Sequence, residues 1–437
     1  MALSPCPLIS LVMGAAVEGL TDSAAGRARR RRWVTIGVLA VWGPGLVVML
    51  ADTDAGSLIT AAQSGASWRY AMVLPEVLLI PILFVVQDAV VRLGVTTGKG
   101  HGQLIREHFG LGWGLVSALT LFASSVGALL TEFVGVAGVG ELFGLSKWLT
   151  VPVATAFLVG LAFTRSYRRV ERVALALGLA ELAFIPAMLA THPNWTALAH
   201  RVGHLPLAQH SFLVLLAANV GAVIMPWMVF YQQGAIVDKG LVRTDRRAER
   251  RDTLVGAVVT QVITIAVVVA FAATDRARTR PLTSVAGMAR ALAGAIGAGT
   301  SRALVGAAVL GGSLLAALVV SLAASWGISE VLGWRHSLNE GVGRHNRRFY
   351  LTYVAAHVLG AVLVLASVDL VNLAIDVEVL NALLLPVVLV MLALLEHRAL
   401  PEGVRLQGAP RILTTATMGI VVAFGFLMIP GVLAHWG

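Results

Sequence analysis

Charge is scarce in this sequence and cysteine is nearly absent. Only 13% of the 437 residues are Asp, Glu, Lys or Arg, too few to cover the surface of a water-soluble protein of this length. The single cysteine, Cys6, excludes an intrachain disulfide and a thiolate metal cluster, so a bound metal would need oxygen, nitrogen or thioether ligands. The chain also lacks a GxxxxGK[ST] nucleotide loop, an HExxH zinc motif and any soluble stretch large enough for a catalytic domain. Enzyme and receptor readings therefore have no support in the sequence.

Apolar sequence is what remains. Hydrophobic residues make up 57% of the chain, and the mean hydropathy is +0.83. Windows of about twenty apolar residues recur, the signature of several membrane-crossing helices in one polytopic unit. Eleven spans are predicted, at residues 34–64, 70–93, 111–143, 147–165, 172–190, 209–237, 253–273, 301–332, 349–367, 371–396 and 411–433. With the N-terminus inside, 25 of the 33 Lys and Arg residues fall on the cytoplasmic side, the bias that sets membrane orientation. Residues 1–33 are then a cytoplasmic tail and the C-terminus is external, in a cell-membrane protein. The net charge of +10 follows from the same bias, so no nucleic acid partner is expected; membrane lipids are. The apolar run Pro7–Val17 comes before the arginines at 27 and 29–32, the reverse of a signal peptide's order.

Two spans are interrupted. The first carries GPGLVVMLADTDAGSLITAAQSG (43–65), broken at Asp54-Ala55-Gly56, and the sixth is broken at Met225-Pro226. They open two sets of five spans, 34–190 and 209–396, that run in opposite directions, with 411–433 as an extra helix. Breaks at corresponding points of inverted halves mark a midplane site in a secondary transporter. A proline kink alone is commonly structural. Asp54 changes that weighting, because a charged carboxylate near the bilayer centre costs roughly 3 kcal/mol unless a cation or partner offsets it.

The residues GPG (43–45), Asp-Ala-Gly-Ser (54–57), QDAVVRLGVTTGKG (87–100), LTEF (130–133) and GAVIMP (221–226) resemble the Nramp family of proton-coupled divalent metal transporters. The resemblance implies an all-α membrane protein with the leucine-transporter-type inverted repeat of five plus five helices, one extra helix, and spans 1 and 6 broken. The family's DPGN motif is matched by Asp54 and Gly56, with Ala55 in place of proline and Ser57 in place of asparagine. Its MPH motif is matched by Met225 and Pro226, with Trp227 at the histidine. The ligand set implied is the side chains of Asp54, Ser57 and Met225 with the backbone carbonyls of Ala51 and Ala222. A carboxylate, hard carbonyls and a thioether together favour Mn²⁺ or Fe²⁺ over Ca²⁺ and Mg²⁺. The cation is cargo, and no resident cofactor is expected.

For proton coupling the resemblance points to Glu132, which matches the family's helix 3 glutamate, and to Arg347 and Arg348, which otherwise read as ordinary positive-inside charges. Leu129 stands where the family carries an aspartate and Trp227 cannot carry a proton, so coupling is expected to be weak or absent. Asn381 is the amide nearest the family's helix 10 glutamine. Of the other intramembrane acids, Glu330 ranks next after Glu132, while Glu76, Asp88 and Glu181 read as structural. Asp52 would project away from Asp54 on a regular helix. Gln232 and Gln233 would line an inner vestibule or bond to neighbouring helices. His192, His200, His204 and His210 read as an amphipathic loop. Two alternatives stay open: an Nramp-related Mg²⁺ transporter, and an organic-solute transporter using Trp227 for stacking or cation–π contact.

Overall fold

The structure is a computed structural model that describes residues 43–274, 282, 284–366 and 370–436. The expected tail 1–33 and the start of the first span, 34–42, lie outside the described residues. Among those described, all regular structure is helical, and nine helical runs are long and apolar enough to cross a membrane. The difference from eleven has two sources. Ala55–Thr97 forms one almost unbroken helical run, and Lys147–Ala162 is too short to count by length.

The first span consists of two helices, α1 (Pro44–Leu50) and α2 (Ala55–Trp68), and is followed by α3 (Val73–Thr97) and α4 (His101–Leu142). Non-helical Gly110 (φ 86°, ψ 172°) bends α4, so the predicted start at residue 111 marks the kink and misses a first helical stretch. Next come α5 (Lys147–Ala162), α6 (Tyr167–Gly178), a 3₁₀ turn at Leu179–Ala183, and the short α7 (Phe184–Ala190) and α8 (Trp195–Arg201). The sixth span is α9 (His210–Val223) and α10 (Pro226–Lys239). It is followed by α11 (Arg246–Ala273), α12 (Val285–Ile296), α13 (Ala298–Leu332), α14 (Arg347–Ala366), α15 (Leu370–Arg398) and α16 (Ala409–Trp436). The windows did not anticipate α8 or α12, which are too short to span a bilayer.

Burial separates the middle of the bundle from its rim. Every residue of α1 is buried, as is all of Pro226–Ile236 in α10. Apolar side chains stay exposed on peripheral helices, for example Trp148, Ile420 and Leu427 at 66%, 65% and 72%. Such a pattern suits lipid rather than water as the outer solvent. The long α13 packs along α4, α11 packs against α1, α2 and α3, and α9 packs against α15. The two broken spans are thereby held at the centre.

Candidate cation site at the two helix breaks

Local chemistry accounts for both interruptions. Asp54 has an extended backbone (φ −74°, ψ −179°) and caps α2, its Oδ1 accepting the Ser57 N–H at 2.7 Å; a short carboxylate in the β region is a favoured N-cap. Between Leu50 and Ala55 the chain is non-helical, and among the described residues no hydrogen bond reaches the carbonyls of Ala51, Asp52 or Thr53. At the second break Pro226 is the first residue of α10 and Met225 before it is extended (φ −97°, ψ 142°), as is Ile224 (φ −125°, ψ 90°). Proline disfavours the α conformation in the residue it follows and fits well at the first helical position.

The two breaks are joined directly. The Ser57 hydroxyl donates to the Ala222 carbonyl at 3.2 Å, linking two of the expected ligands to one another. Met225 is fully buried, and its sulfur accepts a hydrogen bond from the Trp227 indole N–H at 3.0 Å. Glu132, on α4, accepts the Ala55 N–H through Oε2 at 3.3 Å. A carboxylate there also suits the positive end of the α2 dipole.

One residue of the site escaped the sequence reading. Glu378, on α15, is completely buried and aims Oε1 at the turn after Asp54: a methyl group at Gly56 would lie 2.2 Å from that oxygen and 3.4 Å from Asp54 Oδ1. The other oxygen, Oε2, accepts from the Asn381 amide at 3.1 Å, and the Asn381 carbonyl oxygen accepts from the Ser124 hydroxyl at 2.8 Å. Asn381 thus enters as a support for Glu378. Glycine is also required at 221, where a methyl group would fall 1.9 Å from the Glu378 carbonyl. A signal existed: Glu378 is an acid inside an apolar window, the same anomaly that singled out Asp54, and it lies three residues before Asn381 on one helix face.

Asp54 Oδ2 and Glu378 Oε1 are both buried without a hydrogen-bond partner. Two buried carboxylates meeting at one glycine, each with one such oxygen, form an electron-rich cradle that protons or a cation can satisfy. Among the described residues no group of three His, Cys, Asp or Glu side chains converges on one point. A cation here would therefore complete its shell with neutral oxygens; Ser57 Oγ and the Ala222 carbonyl, which it meets at 3.2 Å, are hard donors of the kind a divalent ion takes.

The remaining predicted residues lie elsewhere. Glu330 accepts the Gly102 N–H at 2.9 Å and stands 3.8 Å from His336, at the end of α13 beside the start of α4. Arg348, at the start of α14, places its guanidinium 5.0 Å from the Trp334 ring, and Arg347 beside it is exposed. Gln232 donates to the Thr253 hydroxyl at 2.9 Å, tying α10 to α11, while Gln233 donates to the Lys99 carbonyl at 2.8 Å. Asp88 pairs with Arg92 at 2.7 Å, and Arg92 also meets Glu396. Glu181 contacts the Thr53 hydroxyl. His192, His200, His204 and His210 are exposed.

With this geometry in place, comparison with known proteins settles the family. The Nramp model, described as Natural resistance-associated macrophage protein-like, matches residues 45–430. This chain belongs to the Nramp family. The members of that family are transporters, not enzymes. Among curated relatives, the chain is 32% identical over 242 residues to a divalent metal cation transporter, MntH, of Granulibacter bethesdensis, covering 53% of this chain and 52% of that protein. The chain thus spans about half the length of the curated relatives it matches. Among solved structures it resembles the Eremococcus coleocola manganese transporter, with a TM-score of 0.76 at 19% identity over 90% of this chain and 87% of that one. A more distant likeness, with a TM-score of 0.51 at 12% identity over 90% and 93% of the two chains, is to a nucleobase-cation-symport-1 family transporter in a closed conformation. The Nramp fold here is the leucine-transporter type with broken first and sixth spans.

Proposed function

We propose that this Nramp protein imports a divalent cation of the Mn²⁺ and Fe²⁺ class across the cell membrane by alternating access, with the N-terminus cytoplasmic. The observation that carries the reading is the convergence of Asp54 and Glu378 on Gly56, each with an unpartnered buried oxygen. Two carboxylates match the charge of a divalent ion, and the unwound carbonyls replace part of its water shell. The curated relative is a divalent metal cation transporter and the solved neighbour a manganese transporter, which supports the choice of cargo.

The conformation supports a sealed inner side. The first turn of α1 is stapled to α11, Gly45 N–H donating to Glu249 Oε1 at 2.9 Å and Leu46 N–H to Asp252 Oδ2 at 2.8 Å. Release of α1 from these two carboxylates would open a route from the site to the cytoplasm. Weak or absent proton coupling completes the reading. Trp227 and Leu129 cannot titrate, and Glu132 spends one oxygen on the backbone of α2.

One observation favours a second cargo, Mg²⁺. The soft ligand Met225 has its sulfur bonded to Trp227, while Glu378 adds a hard oxygen, and both changes shift preference toward hard ions. Uptake of Mn²⁺ into proteoliposomes, with and without excess Mg²⁺, decides between them. Mn²⁺ influx that resists a hundredfold excess of Mg²⁺ supports the first; equal competition supports the second. Absence of uptake of either ion would refute divalent transport.

A further inference from the structure

Away from the helix breaks, the end of α5, the end of α13 and the start of α14 meet around a basic cavity that the transport reading does not use. The loops between these ends, 163–166 and 333–346, carry Arg165, Arg335, His336, Arg344 and His345 against a single acid, Glu340. The cavity measures about 390 Å³, and its lining includes Arg165, Arg335, Glu340, His345 and the bare backbone of Gly341 and Gly343.

The longer loop is held firmly in shape. Buried Asn346 donates to the Ser337 carbonyl at 2.8 Å, and the Tyr350 hydroxyl donates to the Glu340 carbonyl at 2.9 Å. Asp238, at the end of α10, accepts the Leu338 N–H at 2.9 Å, and Asn339 accepts the Tyr167 N–H of α6 at 3.2 Å. Arg165 lies in the left-handed region (φ 55°), which a residue other than glycine adopts rarely. Its guanidinium sits over Gly341, 3.6 Å from where a methyl group would stand. Among the described residues no ion pair reaches Arg165, Arg335 or Arg344. The more highly charged stretch Lys239–Arg251 differs, since Lys239 pairs with Glu171 at 2.7 Å and Arg250 with Asp88 at 3.2 Å. A fixed loop that gathers unpaired guanidinium groups around one hollow repels itself until an anion enters.

We propose that this cavity binds the phosphate of an anionic phospholipid headgroup, with Arg165 and Arg335 as its charged partners. Guanidinium groups match phosphate oxygens in charge and in geometry. A lipid fits better than free phosphate because apolar surface continues from the cavity along the bundle. Phe163 and Leu351 are exposed beside it, and Phe157 and Val358 are exposed further along α5 and α14, which pack together. Acyl chains follow that surface while the headgroup meets the arginines. The proposal stands whether or not the protein carries a divalent ion.

The test is native mass spectrometry of the purified full chain in detergent, titrated with phosphatidylglycerol or with phosphatidylcholine. Wild-type protein binds phosphatidylglycerol about tenfold more tightly or better. Arg165→Gln and Arg335→Gln each weaken that binding about fivefold, the effect of one arginine beside an anionic headgroup. Gly341→Leu, which fills the cavity and keeps every charge, weakens it as much. Arg243→Gln, in a charged loop outside the cavity, leaves it unchanged, and inorganic phosphate does not displace the lipid. Any of four results overturns the proposal: equal affinity for the two lipids, wild-type affinity in both arginine variants or in Gly341→Leu, an equal loss in Arg243→Gln, or displacement by inorganic phosphate. The wild-type comparison of the two lipids decides even where a variant fails to elute as a single species.

Discussion

The two helix breaks look alike in outline and differ in chemistry. At the first, between α1 and α2, Asp54 Oδ2 and the carbonyls of residues 51–53 are left without hydrogen-bond partners. At the second, between α9 and α10, the side-chain and backbone groups implicated in the site are engaged: Met225 sulfur by Trp227 and the Ala222 carbonyl by Ser57. Proline alone accounts for the second break; no proline stands at the first, where a carboxylate cap and neighbouring acids hold the chain open. On the proposed function, the first break is the ion's seat, and the second a shaped wall that supplies ligands only when its internal bonds yield.

Mutations that act on the first break should have the larger effects. Asp54→Ala removes charge and cap together, and Mn²⁺ uptake in proteoliposomes should fall by about two orders of magnitude or more, since an ion pair in a desolvated site is worth several kcal/mol. Retained uptake would move the site elsewhere. Next comes Glu378→Gln, which keeps the shape and the bond from Asn381. Uptake should fall about tenfold, equivalent to about 1.4 kcal/mol of binding, and Asn381→Ala should reproduce part of the loss by freeing the carboxylate to turn away.

The second break should respond more weakly and mainly in selectivity. Trp227→Phe frees the Met225 sulfur from its hydrogen bond and should raise the preference for Mn²⁺ over Mg²⁺ by about threefold, whereas Met225→Ala should lower it by a similar factor, a thioether being a minor contributor among hard oxygens. Competition between the two ions measures both; unchanged ratios in both variants would make this wall purely structural. The smallest expected effect concerns protons. A pH-sensitive dye inside the vesicles should register little acidification during Mn²⁺ entry at fixed membrane potential, and acidification that vanishes in Glu132→Gln would make Glu132 a proton carrier.

Much of this was legible in the sequence, for physical reasons that also explain the rest. Long apolar windows and paired breaks report on a bilayer that forbids unpaired backbone, so the helices and the two interruptions stand out. Asp54 stands out on energetic grounds. Glu378 carries the same energetic anomaly, but a motif match directed attention to Asn381, the amide, and away from the acid three residues earlier. The Trp227–Met225 bond and the Ser57–Ala222 bond depend on side-chain geometry, on which spacing is silent. The helix α12 (Val285–Ile296) and the first stretch of α4, before Gly110, went unseen because they are too short to span a bilayer.

The central claim is that Asp54 and Glu378 together hold the ion, and isothermal calorimetry tests it directly. Mn²⁺ titrated into purified wild type should give one saturable site per chain, undetectable in Asp54→Ala and with a Kd about tenfold weaker in Glu378→Gln. A Glu378→Gln variant that binds Mn²⁺ with the wild-type Kd would contradict the account, leaving Asp54 as the only charged ligand and Glu378 as a packing residue.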